Sequence, residues 1–351
     1  MNARIFVMSF ALLLAAPLFA RDKSDVLIMR NGDRLTCEIK SLDANTLFIS
    51  LDYILNTQSL DWSKVDHVES KQLFIVKTQD GLVYSGTLST PTTPGARPVK
   101  IQILEVSDTK VDLDKTQIIK MDQTSSNLWE RFSGNIGLGT TYNKGNQSTQ
   151  YNLNSAVNYS RERWGASASY DSVLSSNTGA TVSTRNEVTL QVQRLLRWNN
   201  WYYAGLNDFF QSSVQGIQLQ TGLGGGIGRY LKNNDHAVIT ILGGMAWQSI
   251  RYQQKPLPVP TQNVASGLIG GEVKLFYFNK TNLLITTYLL PAVSEPGRVH
   301  FNLNTTYSVK LWSKLNWNIS FYGNWDNRPP PRFSGSDYGS SSGLSWSFGN
   351  Q

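Results

Sequence analysis

The chain is poor in the residues that carry most soluble chemistry. Its 351 residues include one cysteine, Cys37, so no disulfide can form within it. Only three histidines are present, His67, His236 and His300. No pair of His or Cys stands at metal-ligand spacing, so no metal and no cofactor are expected. Charged residues make up just 16% of the chain. Past the N-terminus no apolar run approaches the roughly 18 residues that a helical span needs, and mean hydropathy is −0.28. These shortages exclude a disulfide scaffold and a helical membrane protein. They leave a membrane barrel open, because there only every second residue faces lipid.

The N-terminus, residues 1–20, reads as an export signal. Arg4 is the positive start, Ile5 to Ala16 the apolar stretch, and Pro17-Leu18-Phe19-Ala20 a cleavage region before Arg21. Leu18 departs from the small residue usually found three before the cut. Cys37 does not follow the cleavage region, so no lipid-anchored mature end is expected; it reads as a small core residue. A net charge of +7 in an exported chain suits anionic lipid headgroups, lipopolysaccharide included, better than nucleic acid, and charged turns with no partner better still.

Residues 25 to 121 hold two copies of a small β module. The first begins Leu27-Ile28-Met29-Arg30-Asn31-Gly32-Asp33-Arg34-Leu35, and the second Leu73-Phe74-Ile75-Val76-Lys77-Thr78-Gln79-Asp80-Gly81-Leu82. Asp33 aligns with Asp80 and Leu35 with Leu82, and both copies end alike, as Leu60-Asp61-Trp62-Ser63-Lys64-Val65 and Val111-Asp112-Leu113-Asp114-Lys115-Thr116. Asn31-Gly32-Asp33 is a tight-turn signal, since Asn and Gly accept positive φ. Each copy resembles a small SH3-like or Sm-like barrel. Sm-like modules elsewhere bind RNA, but the export signal argues against carrying that over, so a structural or protein-contact module is expected, with a periplasmic protein as its partner. The expected organisation is a signal peptide (1–20), two modules (21–71 and 72–122), a linker (123–130) and a barrel (131–351).

The barrel is announced by rhythm. Val299-Phe301-Leu303-Thr305-Tyr307-Val309 form one face of a strand and His300-Asn302-Asn304-Thr306-Ser308 the other; Leu315-Trp317-Ile319-Phe321 against Asn316-Asn318-Ser320 repeats the pattern. Strands are expected to start near Phe132, Thr149, Trp164, Asn186, Trp201, Gly216, Ala237, Ala265, Asn282, Val299, Lys314 and Tyr338, about twelve in all, an even number as bacterial outer-membrane barrels have. Every second connection is short, as at Arg161-Glu162-Arg163, Lys232 to Asp235 and Asn279-Lys280. The others are mostly longer, as at Ser175 to Thr184, Gln253 to Asn263 and Asn327 to Asp337, although Gln211 to Val214 is short. That alternation puts the short turns and the N-terminal modules in the periplasm. Trp164, Trp198, Trp201, Trp312 and Trp317 flank the short turns, where an interface girdle would sit. Phe348 lies near the C-terminus, where the barrel assembly machinery reads a terminal aromatic.

The run Gly222-Leu223-Gly224-Gly225-Gly226-Ile227-Gly228 lacks the third glycine of a dinucleotide fingerprint, Ile227 standing in its place. Its even-numbered glycines share one strand face and permit sharp curvature or leave room for a bulky neighbour across a narrow lumen. With Asn200-Trp201-Tyr202-Tyr203-Ala204-Gly205-Leu206, Gln220 to Tyr230 and the closing aromatic strand, residues 130 to 350 resemble the domain-of-unknown-function family typified by the salt-induced outer membrane proteins. The resemblance implies an outer-membrane barrel and brings no catalytic residues.

No active site is expected either. His300 lies on the lumen face, but Arg298 and Asn302 flank it and no serine stands in reach for a nucleophilic triad. Asp171, Asp208 and Glu272 are expected to pair across the lumen with Arg194, Arg229 and Lys274, or to line a narrow pore. The reading is an all-β, non-enzymatic outer-membrane barrel of about twelve antiparallel strands with a structural or envelope-stress role. A small-solute channel is the alternative, and a lipid-modifying enzyme is third.

Overall fold

The computed structural model describes residues 23–348 except 55, 92–96, 106–107, 124–130, 144–147, 162, 178–181, 197–199, 254–260, 278–279 and 313. The expected signal peptide, most of the linker and Trp198 lie outside the described residues.

The N-terminal domain is built from nine strands: β1 (Asp25–Met29), β2 (Arg34–Asp43), β3 (Thr46–Ser50), β4 (Gln58–Asp61), β5 (Val65–Thr78), β6 (Val83–Ser89), β7 (Lys100–Glu105), β8 (Lys110–Asp114) and β9 (Ile118–Gln123). The two copies are visible, and they share one sheet. Its order is β4-β3-β2-β1-β5-β6-β7-β8, with β9 closing onto β2 and β5. Strand β5 serves both copies, ending the first and starting the second. One core of fully buried side chains, among them Leu27, Ile39, Trp62, Phe74, Ile101 and Met121, joins them.

The register of the repeat differs from the sequence alignment by two residues. Gly32 and Gly81 occupy equivalent turns at φ +90° and +82°, each with its N–H bonded three residues back, to Met29 and Thr78. Asp61 and Asp114 are the equivalent caps of short 3-10 turns, accepting from Ser63 N and Thr116 N. Leu60-Asp61 therefore matches Leu113-Asp114. The sequence alignment followed the acidic residues of the turns, whereas backbone geometry is fixed by the glycines.

At the second cap Lys115 turns inward. Its Nζ donates to Trp62 O at 2.9 Å, Ser63 O at 3.2 Å and Val65 O, and lies 5.2 Å from the Trp62 ring centroid. Burial pushes its ammonium down to about 8. Cys37 is fully buried. Burial, with Asp25 and Glu38 nearby, pushes its thiol up to about 12, as suits a small core residue.

The remaining strands form a closed antiparallel barrel of twelve, each bonded to its sequence neighbour and the last to the first. They are β10 (Phe132–Asn143), β11 (Ser148–Ser160), β12 (Trp164–Asn177), β13 (Ser183–Leu195), β14 (Trp201–Ser212) and β15 (Ile217–Asn233). Then follow β16 (Ala237–Tyr252), β17 (Thr261–Tyr277), β18 (Thr281–Pro291), β19 (Val299–Lys310), β20 (Leu315–Asp326) and β21 (Ser336–Phe348). Strands β13 and β17 start three and four residues before the expected Asn186 and Ala265, because their hairpins extend beyond the apolar stretch that marks a strand in the sequence. The short Ser213 to Gly216 connection is a tight turn made by Gly216 at φ +67°.

Alternation sorts the side chains as expected. Leu138, Leu223, Met245, Ile269, Leu344 and Trp346 point outward and are about half exposed or more, in an apolar belt that runs around the barrel. A folded chain exposes that much apolar surface only to an apolar partner, and a belt of this form fits a bilayer. The short-turn end, here the inner end, carries the N-terminal domain. Asn200 Nδ2 donates to Gln79 O at 2.8 Å, and Lys310 Nζ lies 5.7 Å from the Phe48 ring centroid.

Candidate functional site in the barrel lumen

Buried polar groups converge in the interior of the barrel. In its outer half the wall of β13 and β14 meets the wall of β19 to β21. Arg185, on β13, is buried between two rings, its guanidinium 5.1 Å from the Phe210 centroid and 4.4 Å from that of Tyr322 on β20. It pairs with Glu187 through Nη2 and lies 4.0 Å from Asp337 on β21. Ser212 on β14 donates to the same Asp337 at 2.7 Å. Asn302 on β19 reaches Glu187 at 3.4 Å and Asn324 at 2.6 Å. The Arg185–Glu187 pair lies within β13 and Asn302–Asn324 joins the adjacent β19 and β20. The contacts of Arg185 with Tyr322 and Asp337, of Ser212 with Asp337 and of Asn302 with Glu187 join strands that are not neighbours, so they cross the lumen.

A second region of the lumen, running from the inner end of β14 to Leu290 beside His300 on β18 and β19, is filled differently. Tyr202, Ala204, Leu242 and Leu268 form a buried cluster, with Leu206, Tyr230, Tyr288 and Leu290 packed against it. Glycine makes room for a ring in each region. A Cβ on Gly228 would stand 2.3 Å from Tyr202 Cζ, and one on Gly339 2.7 Å from the Tyr322 hydroxyl. Tyr202 sits directly beside Gly228 on the neighbouring strand. The bulky neighbour expected across the lumen is therefore next door.

A second polar knot ties the outer rim. Arg298, in the turn before β19, is fully buried. Its guanidinium donates to both Asp326 oxygens, at 3.3 and 2.7 Å, to Glu295 at 3.0 Å and to the Tyr252 hydroxyl at 3.2 Å. Those charged and hydroxyl partners hold the guanidinium pKa above its usual value against the cost of burial. His300 projects into the lumen as expected, with Nε2 3.3 Å from Asp326. Its neighbour is thus a carboxylate already engaged by Arg298, an arrangement of anchoring charges. His67 lies within β5, 3.0 Å from Glu69. His236 sits in an inner turn, its backbone N–H bonded to Asn234.

The expected charge pairs are corrected by register. Arg194 and Arg229 lie on the lipid-facing parity of β13 and β15, and stack on Trp164 and Trp201 at 5.1 and 5.6 Å. Lys274 pairs with Glu272 two residues away on the same strand, at 2.9 Å, and so crosses nothing. Asp208 meets Thr189 of the adjacent strand at 3.4 Å. The residues that do bridge the lumen, Arg185, Glu187, Tyr322 and Asp337, were missed. Arg185 was hidden because the strand was started at Asn186. Tyr322 carried a readable signal, an aromatic residue at the polar parity of β20. Among the described residues no group of three or more His, Cys, Asp or Glu could hold a metal ion.

Residues 136–348 match a family described as a protein of unknown function, DUF481. The chain belongs to that family. No curated relative matches closely enough to lend an activity. Among solved structures, the DUF481 barrel is similar to the translocator domain of the autotransporter NalP from Neisseria meningitidis, at 14% identity and TM-score 0.36, covering 62% of this chain and 87% of that one. It is similar to the NanC porin at 13% identity and TM-score 0.38, covering 61% and 98%. It also resembles the CymD monoaromatic hydrocarbon channel at 10% identity and TM-score 0.31, covering 79% and 87%. The three differ in function, and none of those functions is carried over.

Proposed function

We propose that this DUF481 protein is a non-enzymatic, non-conducting barrel of the bacterial outer membrane that anchors its N-terminal β domain at the periplasmic face. The observation that carries the reading is the set of cross-lumen contacts made by Arg185, Glu187, Tyr322 and Asp337. A conducting lumen keeps its charged side chains on the wall, in water; here an arginine is stacked and paired in the middle. Twelve-stranded barrels lie between those filled by side chains and the open porins, and this packing supports the filled reading. The apolar belt supports the membrane assignment, and the domain seated on the inner turns supports the anchoring role. The likeness of the barrel to salt-induced outer membrane proteins, and of the repeat to SH3-like or Sm-like modules, fits an envelope role with a periplasmic protein as partner.

A narrow solute channel is the second reading. It is favoured by one observation, a 290 Å³ outer vestibule lined by Gln150, Ser175, Arg185, Tyr322 and Asp337. The membrane half of the proposal is tested by heat-modifiability on gels, using detergent-extracted full-length protein and a chain lacking residues 21–128. Both are expected to migrate differently before and after boiling. No shift, with protein soluble in the absence of detergent, overturns it.

A further inference from the structure

We infer that the inner rim of the barrel, at the turn joining β11 to β12, holds an anionic phospholipid headgroup. The inference rests on the membrane reading above. Arg161, Arg163, Trp164 and Arg194 line a shallow cavity of 230 Å³, with no other described residue in its lining. Counting Glu162 between them, the group carries a net charge of +2 by sequence.

The geometry keeps the donors available. Arg194 and Trp164 are register partners on β13 and β12, and the guanidinium lies over the indole at 5.1 Å. Stacking uses the face of a guanidinium and leaves its in-plane N–H fork free for a phosphate. The backbone fixes the other two arginines. Arg161 N–H bonds Trp164 O at 2.9 Å, and Leu195 N–H bonds Arg163 O at 2.8 Å. Arg163 Nη1 is buried with no hydrogen-bond partner among the described residues. A buried guanidinium nitrogen without an acceptor is costly, and a phosphate oxygen would satisfy it.

A free phosphate would meet the same arginines, but the surroundings select a lipid. Trp164 faces outward and is 48% exposed. The outward-facing row continues along the register from Arg194 to Tyr203 and Ile227, each about half exposed. A phosphate held by the arginines would therefore have its acyl chains against the apolar belt, with Trp164 at the boundary where indoles settle. The arrangement recurs at the next inner turn, where Arg229 stacks on Trp201. Both lie at the end that carries the N-terminal domain, so the partner is a glycerophospholipid of that leaflet.

The test is native mass spectrometry of the full-length protein released from nanodiscs of mixed phosphatidylglycerol and phosphatidylcholine. The wild type is expected to retain phosphatidylglycerol preferentially. Arg163→Gln should weaken that preference about tenfold, roughly one charge-assisted hydrogen bond. The triple variant R161Q/R163Q/R194Q should abolish it, while Arg251→Gln at the outer end leaves it intact. Equal retention of both lipids by folded wild type overturns the inference, as does an unchanged preference in the triple variant. Displacement of bound lipid by millimolar inorganic phosphate would instead assign a free-phosphate site. Heat-modifiability of each variant is read in parallel, so that loss of the barrel itself is recognised separately from loss of the lipid.

Discussion

Replacing Asp326 with alanine tests how the outer rim is held. Asp326 accepts two of the four hydrogen bonds from Arg298, whose side chain is 1% exposed. Removing one partner of a buried ion pair costs about 3–5 kcal/mol. Glu295 and Tyr252 still engage the guanidinium, and Glu295 is partly solvated. The estimate therefore falls to about 2–3 kcal/mol. That cost lands locally, on the turn from Pro291 to Val299 that Arg298 ties to β20. At about 1.4 kcal/mol per decade, local opening should rise about 30- to 150-fold. The assay is amide hydrogen exchange at Ala292, whose N–H bonds Arg298 O at 2.8 Å, in full-length protein reconstituted in lipid. The double variant Asp326→Ala with Arg298→Met should recover most of the protection, because no fully buried charge is left unpaired; Glu295 loses Arg298 but is partly solvated and still accepts from Gln262. The reasoning fails if Asp326→Ala exchanges within about twofold of wild type, the ordinary spread of independent sites. It also fails if the double variant is worse than the single.

Three further outcomes are expected. Gly228→Val drives a side chain into the Tyr202 ring and should destabilise the folded barrel by about 1–3 kcal/mol, lowering the temperature at which the folded gel band is lost. Gly205→Ala is its control, because a Cβ there meets nothing within 4 Å; its band should persist to the wild-type temperature. Lys77 and Lys115 give the N-terminal domain a pH signature. Both are pushed down to about 8 by burial, so the unfolded chain holds their protons to higher pH than the folded one. Their contribution to stability rises with pH above about 8. Cys37 works in the opposite direction once its unfolded thiol ionises near 9, because the folded thiol keeps its proton to about 12. Urea midpoints for proteolysis of the domain should therefore rise between pH 8 and pH 9, and Lys115→Met should flatten that rise. Asn200→Ala removes the side-chain donor to Gln79 O; faster protease cleavage of the segment around Gln79, with an unchanged barrel band, is the expected result.

Much of the barrel was legible because a membrane strand writes its two faces in alternate letters. Five of the expected strand starts, Phe132, Trp164, Trp201, Ala237 and Val299, coincide with the structure. Turns were read less well where hairpins outrun the apolar stretch, as at Ser183 and Thr261, since beyond the bilayer the alternation lapses into polar residues on both faces. The repeat was legible in composition and slipped by two in register, because Asp33 and Asp80 look alike while Gly32 and Gly81 set the turn. The lumen was hardest. Arg194 and Arg229 could be placed by parity on the outer face once β13 and β15 were fixed, but which charges meet across a barrel depends on shear and on flattening of the cross-section. Neither is written in any single strand.

Single-channel recording of the full-length protein in planar bilayers tests the central claim most directly. Insertion can be verified with an Arg185→Ala/Tyr322→Ala variant, which removes the side chains that bridge the outer lumen and is expected to give discrete conductance steps. Under the same conditions the wild type should pass no sustained current at any voltage. Stable ohmic steps from the wild type, unchanged in the variant, would mean that the cross-lumen contacts do not close the barrel and that the protein is a channel.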